Sequence, residues 1–250
     1  MIIENLKKEG LKLLDMHSHT RYSDGSQTYI ESIKKAKSLG LGVCITDHNE
    51  IKGSLAIKND LFTLFGAEIT TKEFIDILIY SSSSKNLLEF YKKYIEKSRF
   101  KEFGFRFHRT SIHIEELLDH SKEYNLLTIL PHPNAHHPKN SFKFLMKNKK
   151  YSELIKNIDA IEVFNSMMSK KANQNAIKWA LEINKPIVAS SDAHRIEYLG
   201  QGLTVAYAET KDDFITQIIK NKSMIFGKEL KGIPRKLEEL SIISKNIKLF

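Results

Sequence analysis

Residues 15–25 read DMHSHTRYSDG, a stretch that places two histidines one residue apart between two aspartates. The apolar residues LKLL precede it and the turn-prone SDG ends it, which predicts a short buried strand running into a loop. Alternate side chains of a strand share one face, so we expect Asp15, His17 and His19 to point the same way. Such a group either binds a metal ion or consists of hydrogen-bonded polar residues at a strand end.

The size and composition of the chain predict one compact globular domain. Its 250 residues include 41% hydrophobic and 28% charged residues, which is ordinary for a folded protein and argues against wholesale disorder. Cys44 is the single cysteine, so a disulfide framework within the chain is excluded and a buried thiol in a reducing compartment is expected. No run of about 18 apolar residues and no signal-peptide core are present, so we expect a cytoplasmic protein without a membrane span.

The formal charge of +9 at pH 7 raises the question of a nucleic-acid partner. The lysines are scattered among glutamates, as in YKKYIEKSRFKEF and KELKGIPRKLEEL, which is typical of solvated helix faces. The charge favours anionic ligands without identifying one.

Strand-like and helix-like segments alternate along the chain. Thr28 and Glu31 form a T-x-x-E capping box that starts a helix, and Gly40 is a typical helix end. Further helices are predicted near 85–100, 113–124, 170–184 and 211–221. Strands are predicted in LGVCITDHN, LFTLFGAEIT, FIDILIYSS, LLTILPHP, DAIEVFN, KPIVASSDAH and LTVAYAE. Repeated strand–helix units predict an α/β barrel.

Histidines and carboxylates recur at the carboxyl ends of these predicted strands. This is the face where α/β barrels assemble their active sites. Several carboxylates packed together would repel one another unless cations compensate for their charge, so metal ions are the simplest explanation. Beyond His17 and His19, these residues are Asp24, His48, Glu68, His132, Asp192 and His194.

Five motifs, DMHSHTRYSDG, ITDHN, GAEI, LPHP and SSDAH, together resemble the PHP (polymerase and histidinol phosphatase) superfamily. The resemblance runs from about residue 14 to 206, and the order of the motifs makes it specific. It implies a distorted (β/α)7 TIM-like barrel and two or three divalent ions, manganese, iron or zinc, that support hydrolysis of phosphoesters. By resemblance, His17, His19, Glu68 and Asp192 hold one ion, Glu68 and His132 a second, and Asp24, His48 and His194 a third.

One position departs from the pattern of the superfamily. Its members often carry a histidine on the strand after the glutamate motif, in a run like V-H-I-L-G-Y, whereas this chain has IDILIY with Asp76 in that place. Aspartate can bind the same metals, which would keep the second site with one more negative charge. Alternatively, Asp76 is only a polar residue at a strand end.

The resemblance also assigns roles in a reaction. Divalent ions bridged by Glu68 would generate a metal-bound hydroxide as nucleophile, with Asp192 and His194 as further catalytic candidates. Arg21 and Arg195 are candidates to clamp a phosphate, although exposed loop arginines are as often only solvated.

Other polar residues receive weaker assignments. His136 and its neighbour His137 are candidate proton donors to the leaving group or ordinary loop histidines. Asp15 is expected to orient a ligand histidine. The remaining histidines, His108, His113 and His120, lack ligand spacing and are expected to be structural.

The resemblance therefore predicts a metal-dependent phosphoesterase that acts on a small phosphorylated substrate or a nucleotide. The alternatives are an exonuclease directed at nucleic acid and a non-catalytic, metal-stabilised regulatory module. No polymerase or helix-hairpin-helix segment is recognisable, which favours a stand-alone hydrolase. We expect a single domain over 1–250, with an insertion at about 81–112 that selects the substrate and a C-terminal tail from about 228.

Overall fold

A computed structural model describes residues 9–57, 61–99, 109–135, 140–147 and 149–229. Its strands are β1 (Leu11–Asp15), β2 (Gly42–Val43), β3 (Phe65–Thr70), β4 (Asp76–Ser81), β5 (Leu127–Leu130), β6 (Ala160–Asn165), β7 (Ile187–Ser190), β8 (Gly202–Tyr207) and β9 (Met224–Gly227). Its α-helices are Tyr29–Leu39, Lys52–Leu55, Ser84–Phe90, Ile114–Glu123, Ser141–Lys147, Lys149–Ser152, Lys170–Glu182 and Lys211–Ile219. The histidines at 108, 136 and 137 and nearly all of the expected tail lie outside the described residues.

The described strands form two sheets of mixed direction. One has the order β2-β1-β8-β9 and the other the order β3-β4-β5-β6-β7. β1 runs parallel to β2, and β5, β6 and β7 run parallel to one another, whereas β4 is antiparallel to both of its neighbours. The predicted α/β class is thus confirmed, but the pairings of the described residues form two separate sheets and no closed barrel.

The antiparallel direction of β4 breaks the predicted strand–helix alternation. A short connection, closed by a hydrogen bond from Thr71 N to Ile75 O of 2.9 Å, joins β3 directly to β4. In this hairpin Thr70, the last residue of β3, pairs with Asp76, the first residue of β4. Asp76 therefore lies at the same edge of the sheet as the carboxyl end of β3.

Isolated contacts bring the two sheets together near these strand ends. Parallel bridges join Ser18 to Ala193 and His48 to Glu68. The Thr204 hydroxyl accepts a hydrogen bond from Ala189 N at 3.0 Å and donates to Ala189 O at 2.9 Å. The loops that follow β1, β2 and β7 are thereby held close to β3.

The alternation of side chains along β4 separates two layers of the core. Ile77 and Ile79 pack into a cluster with residues of the helices Ile114–Glu123 and Lys170–Glu182. Leu78 and Tyr80 belong to a second cluster, between the sheets. Because successive side chains of a strand point to opposite faces, Asp76 shares the face of Leu78 and Tyr80.

The predicted first helix is confirmed in its detail. The Thr28 side chain accepts from Glu31 N while Glu31 bonds back to Thr28 N, and Gly40 ends the helix with φ of 67°. The predicted helix near 85–100 instead continues from Ser84–Phe90 into a π-helical turn at Tyr91–Ile95 and a 3₁₀ turn at Glu96–Ser98.

The described residues also bear on the cysteine and on membrane-spanning helices. Cys44 is buried and unpaired. None of the helices in the described residues combines the length and the apolar character needed to cross a bilayer.

Candidate metal centre

The strand ends bring the sequence-predicted histidines and carboxylates into one cluster. Within it, His48 is partly exposed and the other side chains are buried. We name this set the strand-end cluster; it consists of His17, His19, Asp24, His48, Glu68, Asp76, His132, Asp192 and His194.

The first group in the strand-end cluster surrounds the two histidines of the H-x-H motif. The Nε2 atoms of His17 and His19 are 3.0 Å apart, and each lies 3.4 Å from Glu68 Oε2. Asp192 Oδ1 lies 3.4 Å from His17 Nε2 and 3.1 Å from His19 Nε2. The two imidazole nitrogens thus face one carboxylate oxygen of Glu68 and one of Asp192.

Glu68 lies at the middle of the strand-end cluster and uses both oxygens. Its Oε1 is 3.1 Å from His132 Nε2, whereas its Oε2 is 3.1 Å from His48 Nδ1 and also faces His17 and His19. A carboxylate with ligand atoms on both oxygens has the arrangement needed to bridge two ions.

A second group surrounds Asp24 in the loop after β1. Asp24 Oδ1 lies 3.3 Å from His194 Nε2 and 3.6 Å from His19 Nδ1, and Asp24 Oδ2 lies 3.8 Å from His48 Nε2. The ring of His19 stacks between those of His194 and His48, with centroids 4.2 and 4.8 Å away. His19 therefore presents Nε2 to the first group and Nδ1 to the second.

Asp76 lies beside the Glu68 carboxylate. Ligand-capable atoms of Asp76, Glu68 and His48 lie within 4.8 Å of one another. The Thr70 hydroxyl donates to Asp76 Oδ1 at 2.6 Å. This places Asp76 within the strand-end cluster, where it meets His48 and Glu68, while its role as a metal ligand stays a prediction.

The donor atoms of the first group fit a divalent metal ion. Nitrogen and oxygen ligands at about 2.0–2.2 Å from a tetrahedral ion lie roughly 3.3–3.6 Å from one another, close to the spacings around His17 and His19. Asp192 Oδ1 and His48 Nδ1 are buried, and neither takes part in a well-aligned hydrogen bond with the described residues. Buried polar atoms rarely lack such a partner. Asp192 Oδ1 faces the two histidine nitrogens and His48 Nδ1 faces Glu68 Oε2, which are positions that bound ions would satisfy.

Backbone strain coincides with the strand-end cluster. His132 and Asp192 have φ of 29° and 54°, a left-handed region that residues with a side chain rarely adopt. Strained backbone of this kind costs of order 1–3 kcal/mol per residue and tends to occur at functional sites. This backbone conformation directs both side chains into the strand-end cluster from the loops that follow β5 and β7.

Glu68 and Asp192 stay ionised although they are buried. Burial raises the pKa of Glu68, but the rings of His48 and His17 outweigh it and bring the pKa well below its usual value. For Asp192, burial likewise raises the pKa, while the nearby rings of His17, His19 and His194 lower it to a net value below normal. Negative charge is thus retained where cations would bind.

The histidines divide into two kinds. Burial lowers the pKa of His17, but Asp192, Glu68 and Glu162 raise it well above its usual value. Burial and the neighbouring His194 lower the pKa of His19 to about 4. A neutral His19 has a lone pair available for a metal, whereas a cationic His17 compensates for carboxylate charge until an ion takes its place.

The predicted phosphate-binding arginines lie on exposed loops. Arg21 Nε donates to Ser26 O at 2.6 Å, and Arg195 Nη2 forms an ion pair with Glu197 Oε1 at 3.2 Å. Their contact with a substrate stays a prediction, and so does that of His136, which lies outside the described residues.

Two of the histidines expected to be structural are held by neighbours. His113 Nδ1 lies 2.6 Å from Glu73 Oε1, and the ring of His120 stacks on Tyr94 with centroids 3.9 Å apart.

Asp15 accepts a hydrogen bond from the backbone of His17, and its expected role in orienting this histidine stays a prediction. Its carboxylate accepts hydrogen bonds from Ser191 N at 2.9 Å, Ser191 Oγ at 2.6 Å and Gly200 N at 2.7 Å. β1 ends at Asp15, so the alternation of strand side chains does not extend to His17. The ring of His17 is bonded instead by Glu162, whose Oε1 is 3.1 Å from His17 Nδ1.

Sequence reasoning overlooked two buried carboxylates that support the strand-end cluster. Glu162 lies in DAIEVFN, and the available signal was a charged residue in the middle of an apolar strand. Asp47 precedes His48 and accepts hydrogen bonds from Thr20 N, Thr20 Oγ1 and Ser23 Oγ, each at 2.7 Å. Asp47 thereby ties the loop that carries Asp24 to the end of β2.

One segment of the chain is similar to a known protein family, and the fold is similar to that of several solved structures. Residues 170–223 match the family model described as PHP-associated. No curated protein matches the sequence.

Three solved structures share the fold at low sequence identity. PsfC from Pseudomonas syringae PB-5123 is 15% identical with a TM-score of 0.63, covering 94% of this chain and 98% of PsfC. A lesion-specific endonuclease from Pyrococcus furiosus, PfuEndoQ, is 19% identical with a TM-score of 0.66, covering 86% of this chain and 57% of that protein.

The third is a two-domain protein from Bacteroides vulgatus that contains a predicted PHP-like metal-dependent phosphoesterase. It is 17% identical with a TM-score of 0.60, covering 94% of this chain and 70% of that protein. Residues 170–223 are thus similar to the PHP-associated family, and the chain shares the fold of a protein that contains a predicted PHP-like phosphoesterase.

Proposed function

We propose that this protein is a metal-dependent phosphoesterase whose reaction takes place at the strand-end cluster. The observation that carries the proposal is the position of Glu68, which is buried and faces histidine nitrogens with both oxygens. A hydrogen-bonded structural core would leave neither Asp192 Oδ1 nor His48 Nδ1 without a well-aligned partner. The likeness to PHP-like phosphoesterases supports the same reading.

In this proposal the side chains divide among two or three divalent ions, manganese, iron or zinc. Mixed nitrogen and oxygen donors suit each of these metals. Bound ions would lower the pKa of a water molecule and neutralise phosphate oxygens as charge builds up. The first ion would be held by His17, His19, Glu68 and Asp192, the second by Glu68, His132 and Asp76, and the third by Asp24, His48 and His194.

The side chains of the protein would supply charge, orient the substrate and exclude bulk water from this reaction. Glu68 and Asp192 keep their negative charge because histidine rings surround them. His194, whose pKa burial lowers but Asp24 raises to about 9, holds a proton beside Asp24 in the metal-free protein. Arg21 and Arg195 lie on exposed loops after β1 and β7, from which they would bind the phosphate of a small substrate.

A barrel would explain how one site draws on both sheets. The bridge Ser18–Ala193 links the segments that follow β1 and β7, and the bridge His48–Glu68 links the segment that follows β2 to β3. We propose that β1 to β7 form an interrupted seven-stranded barrel, with β8 and β9 outside it. The strand-end cluster would then occupy the carboxyl-terminal mouth, bordered by residues 81–99 and 109–112, the part of the expected substrate-selecting insertion that the structure describes.

Nucleic acid is the second candidate substrate. The Pyrococcus furiosus neighbour is a lesion-specific endonuclease, and endonuclease Q has been crystallised with a 27-mer duplex that carries an abasic lesion at the active site. A net charge of +9 would favour a polyanion. This chain spans only 57–60% of those proteins, so the small-substrate phosphoesterase remains the main proposal.

The experiment compares wild type with Glu68→Gln and Glu73→Gln after reconstitution with Mn²⁺. Glu73 is a matched control because it is a glutamate that also pairs with a histidine, at 2.6 Å, outside the strand-end cluster. The substrates are phosphomonoesters, phosphodiesters, single-stranded oligonucleotides and a duplex with an abasic site. We expect wild type and Glu73→Gln to hydrolyse a small phosphoester and Glu68→Gln to be at least about a hundredfold slower, or about 2.7 kcal/mol in barrier.

Other outcomes overturn this proposal in distinct ways. Hydrolysis confined to oligonucleotides would establish the nucleic-acid alternative. A fully loaded wild-type protein that hydrolyses none of the panel would leave the regulatory module as the better reading.

A further inference from the structure

Glu162 on β6 is a buried carboxylate that accepts hydrogen bonds from four different groups. Its Oε1 lies 3.1 Å from His17 Nδ1 and also accepts from Ser190 Oγ. Its Oε2 accepts from the backbone N of His132 at 2.7 Å and from Asn165 Nδ2 at 2.9 Å. The side chain is fully buried. Each oxygen therefore serves two donors, which is the full capacity of an ionised carboxylate.

The bond to His17 determines which ring nitrogen faces the strand-end cluster. A proton on Nδ1, donated to Glu162, leaves the lone pair of the neutral ring on Nε2. That Nε2 is the atom that lies 3.0 Å from His19 Nε2 and 3.4 Å from both Glu68 and Asp192. The contact to Glu162 thus presents the ligating nitrogen of His17.

The other oxygen of Glu162, Oε2, holds two groups that position His132 and Asp192. It bonds the backbone N of His132, a residue held at φ of 29°. The same Asn165 Nδ2 that bonds Glu162 also lies 3.1 Å from Asp192 Oδ2, which leaves Asp192 Oδ1 directed at the histidines. Glu162 therefore connects His17, His132 and Asp192 without lying among the ligands itself.

We propose that Glu162 is the positioning residue of the metal centre. It holds His17 in the tautomer that binds through Nε2, and it fixes the backbone of His132 in its strained conformation. Glu162 is not itself a ligand, because donor groups occupy both of its oxygens. The inference rests on the proposed function, since it assumes that the strand-end cluster binds metal.

A purely structural role for Glu162 predicts a different result. A buried network on β6 would contribute to the stability of the fold, and its loss would lower the melting temperature of the metal-free protein. It would leave the affinity of the folded protein for metal unchanged. Metal affinity and metal-free stability, measured separately, therefore distinguish the two roles.

The decisive variant is Glu162→Gln, which keeps the size of the side chain. One of the two acceptor oxygens becomes an NH₂ group, which cannot accept. The backbone N–H of His132 cannot change its role, so the remaining oxygen stays with it and the NH₂ group meets His17 Nδ1. The ring of His17 must then accept at Nδ1 and carry its proton on Nε2, where it blocks the metal.

The test measures Mn²⁺ affinity of the folded protein by competition with a chelator, and the melting temperature of the metal-free form. Asp159→Asn is the matched control, because Asp159 Oδ2 also accepts two hydrogen bonds, from Thr128 N and Thr128 Oγ1, both at 2.8 Å, at the far end of β6. We expect Glu162→Gln to bind at least one Mn²⁺ ion, the one that His17 would hold, at least about tenfold less tightly than wild type does. Asp159→Asn should bind Mn²⁺ as wild type does.

Each other outcome has a defined meaning. Wild-type Mn²⁺ affinity in folded Glu162→Gln would overturn the inference while leaving the proposed function intact. Absence of Mn²⁺ binding in wild type and control alike would instead overturn the proposed function and this inference with it. Should Glu162→Gln not fold, Glu162→Asp replaces it, since a carboxylate one methylene shorter cannot reach both His17 and His132; equal affinity there would also overturn the inference.

Discussion

Asp76 offers the sharpest test of how far the pattern of the superfamily applies to this chain. If Asp76 binds the second ion, Asp76→Ala removes that ion and Asp76→His restores it, because imidazole nitrogen binds the same metals. The position favours this result, since Asp76 shares a face with Leu78 and Tyr80 and lies near His48 and Glu68.

The loss of stability expected for Asp76→Ala has two parts that can be measured separately. Loss of the hydrogen bond from Thr70 Oγ1, 2.6 Å long, to a charged acceptor costs about 1.5–3 kcal/mol in the metal-free protein. Loss of an ion present at a hundred times its Kd removes a further stabilisation of about 2.7 kcal/mol. The second part appears only when metal is added.

The assay counts ions per chain by elemental analysis and follows thermal unfolding with and without Mn²⁺. Thr70→Val is the matched control, because it removes the same hydrogen bond from its other end and leaves the carboxylate in place. We expect Thr70→Val to lower the metal-free stability without losing an ion. An unchanged ion count in Asp76→Ala, with both variants destabilised alike, would refute the assignment of Asp76 to the metal centre.

Three further predictions concern other parts of the molecule. Burial raises the pKa of Cys44 to about 12, so at pH 8 iodoacetamide should label this thiol only after denaturant unfolds the chain; rapid labelling of native protein would contradict its burial. A Cβ at Gly53 would lie 2.5 Å from Asp47 Oδ2, so Gly53→Ala should lower the free energy of unfolding by about 1–3 kcal/mol in denaturant titrations. Arg21→Ala should raise KM with kcat nearly unchanged if the exposed guanidinium binds substrate; a fall in kcat alone would exclude that role.

Much of the centre was predictable because metal-type residues follow strand ends. His17 and His19 after β1, Glu68 on β3 and Asp192 after β7 stood out in the sequence as histidines and carboxylates at predicted strand ends. The physical reason is that parallel strands place their carboxyl ends at one edge, so residues distant in sequence meet there.

The parts that could not be predicted depend on long-range contacts. The antiparallel direction of β4 follows from the short link after Thr70, which periodicity does not reveal. Glu162 reads as one charge in an apolar strand, and only the fold shows that four donors meet it. Because β1 ends at Asp15, the sequence did not reveal that Ser191 also binds this carboxylate, beside the backbone of His17.

The most direct test of the metal centre is an anomalous difference map from a crystal of the Mn²⁺-loaded protein, recorded at the manganese absorption edge. The proposal predicts one peak bound by His17, His19, Glu68 and Asp192, and a second on the other oxygen of Glu68 beside His132. Peaks that lie elsewhere, or a Glu68 carboxylate without any peak within bonding distance, would contradict it.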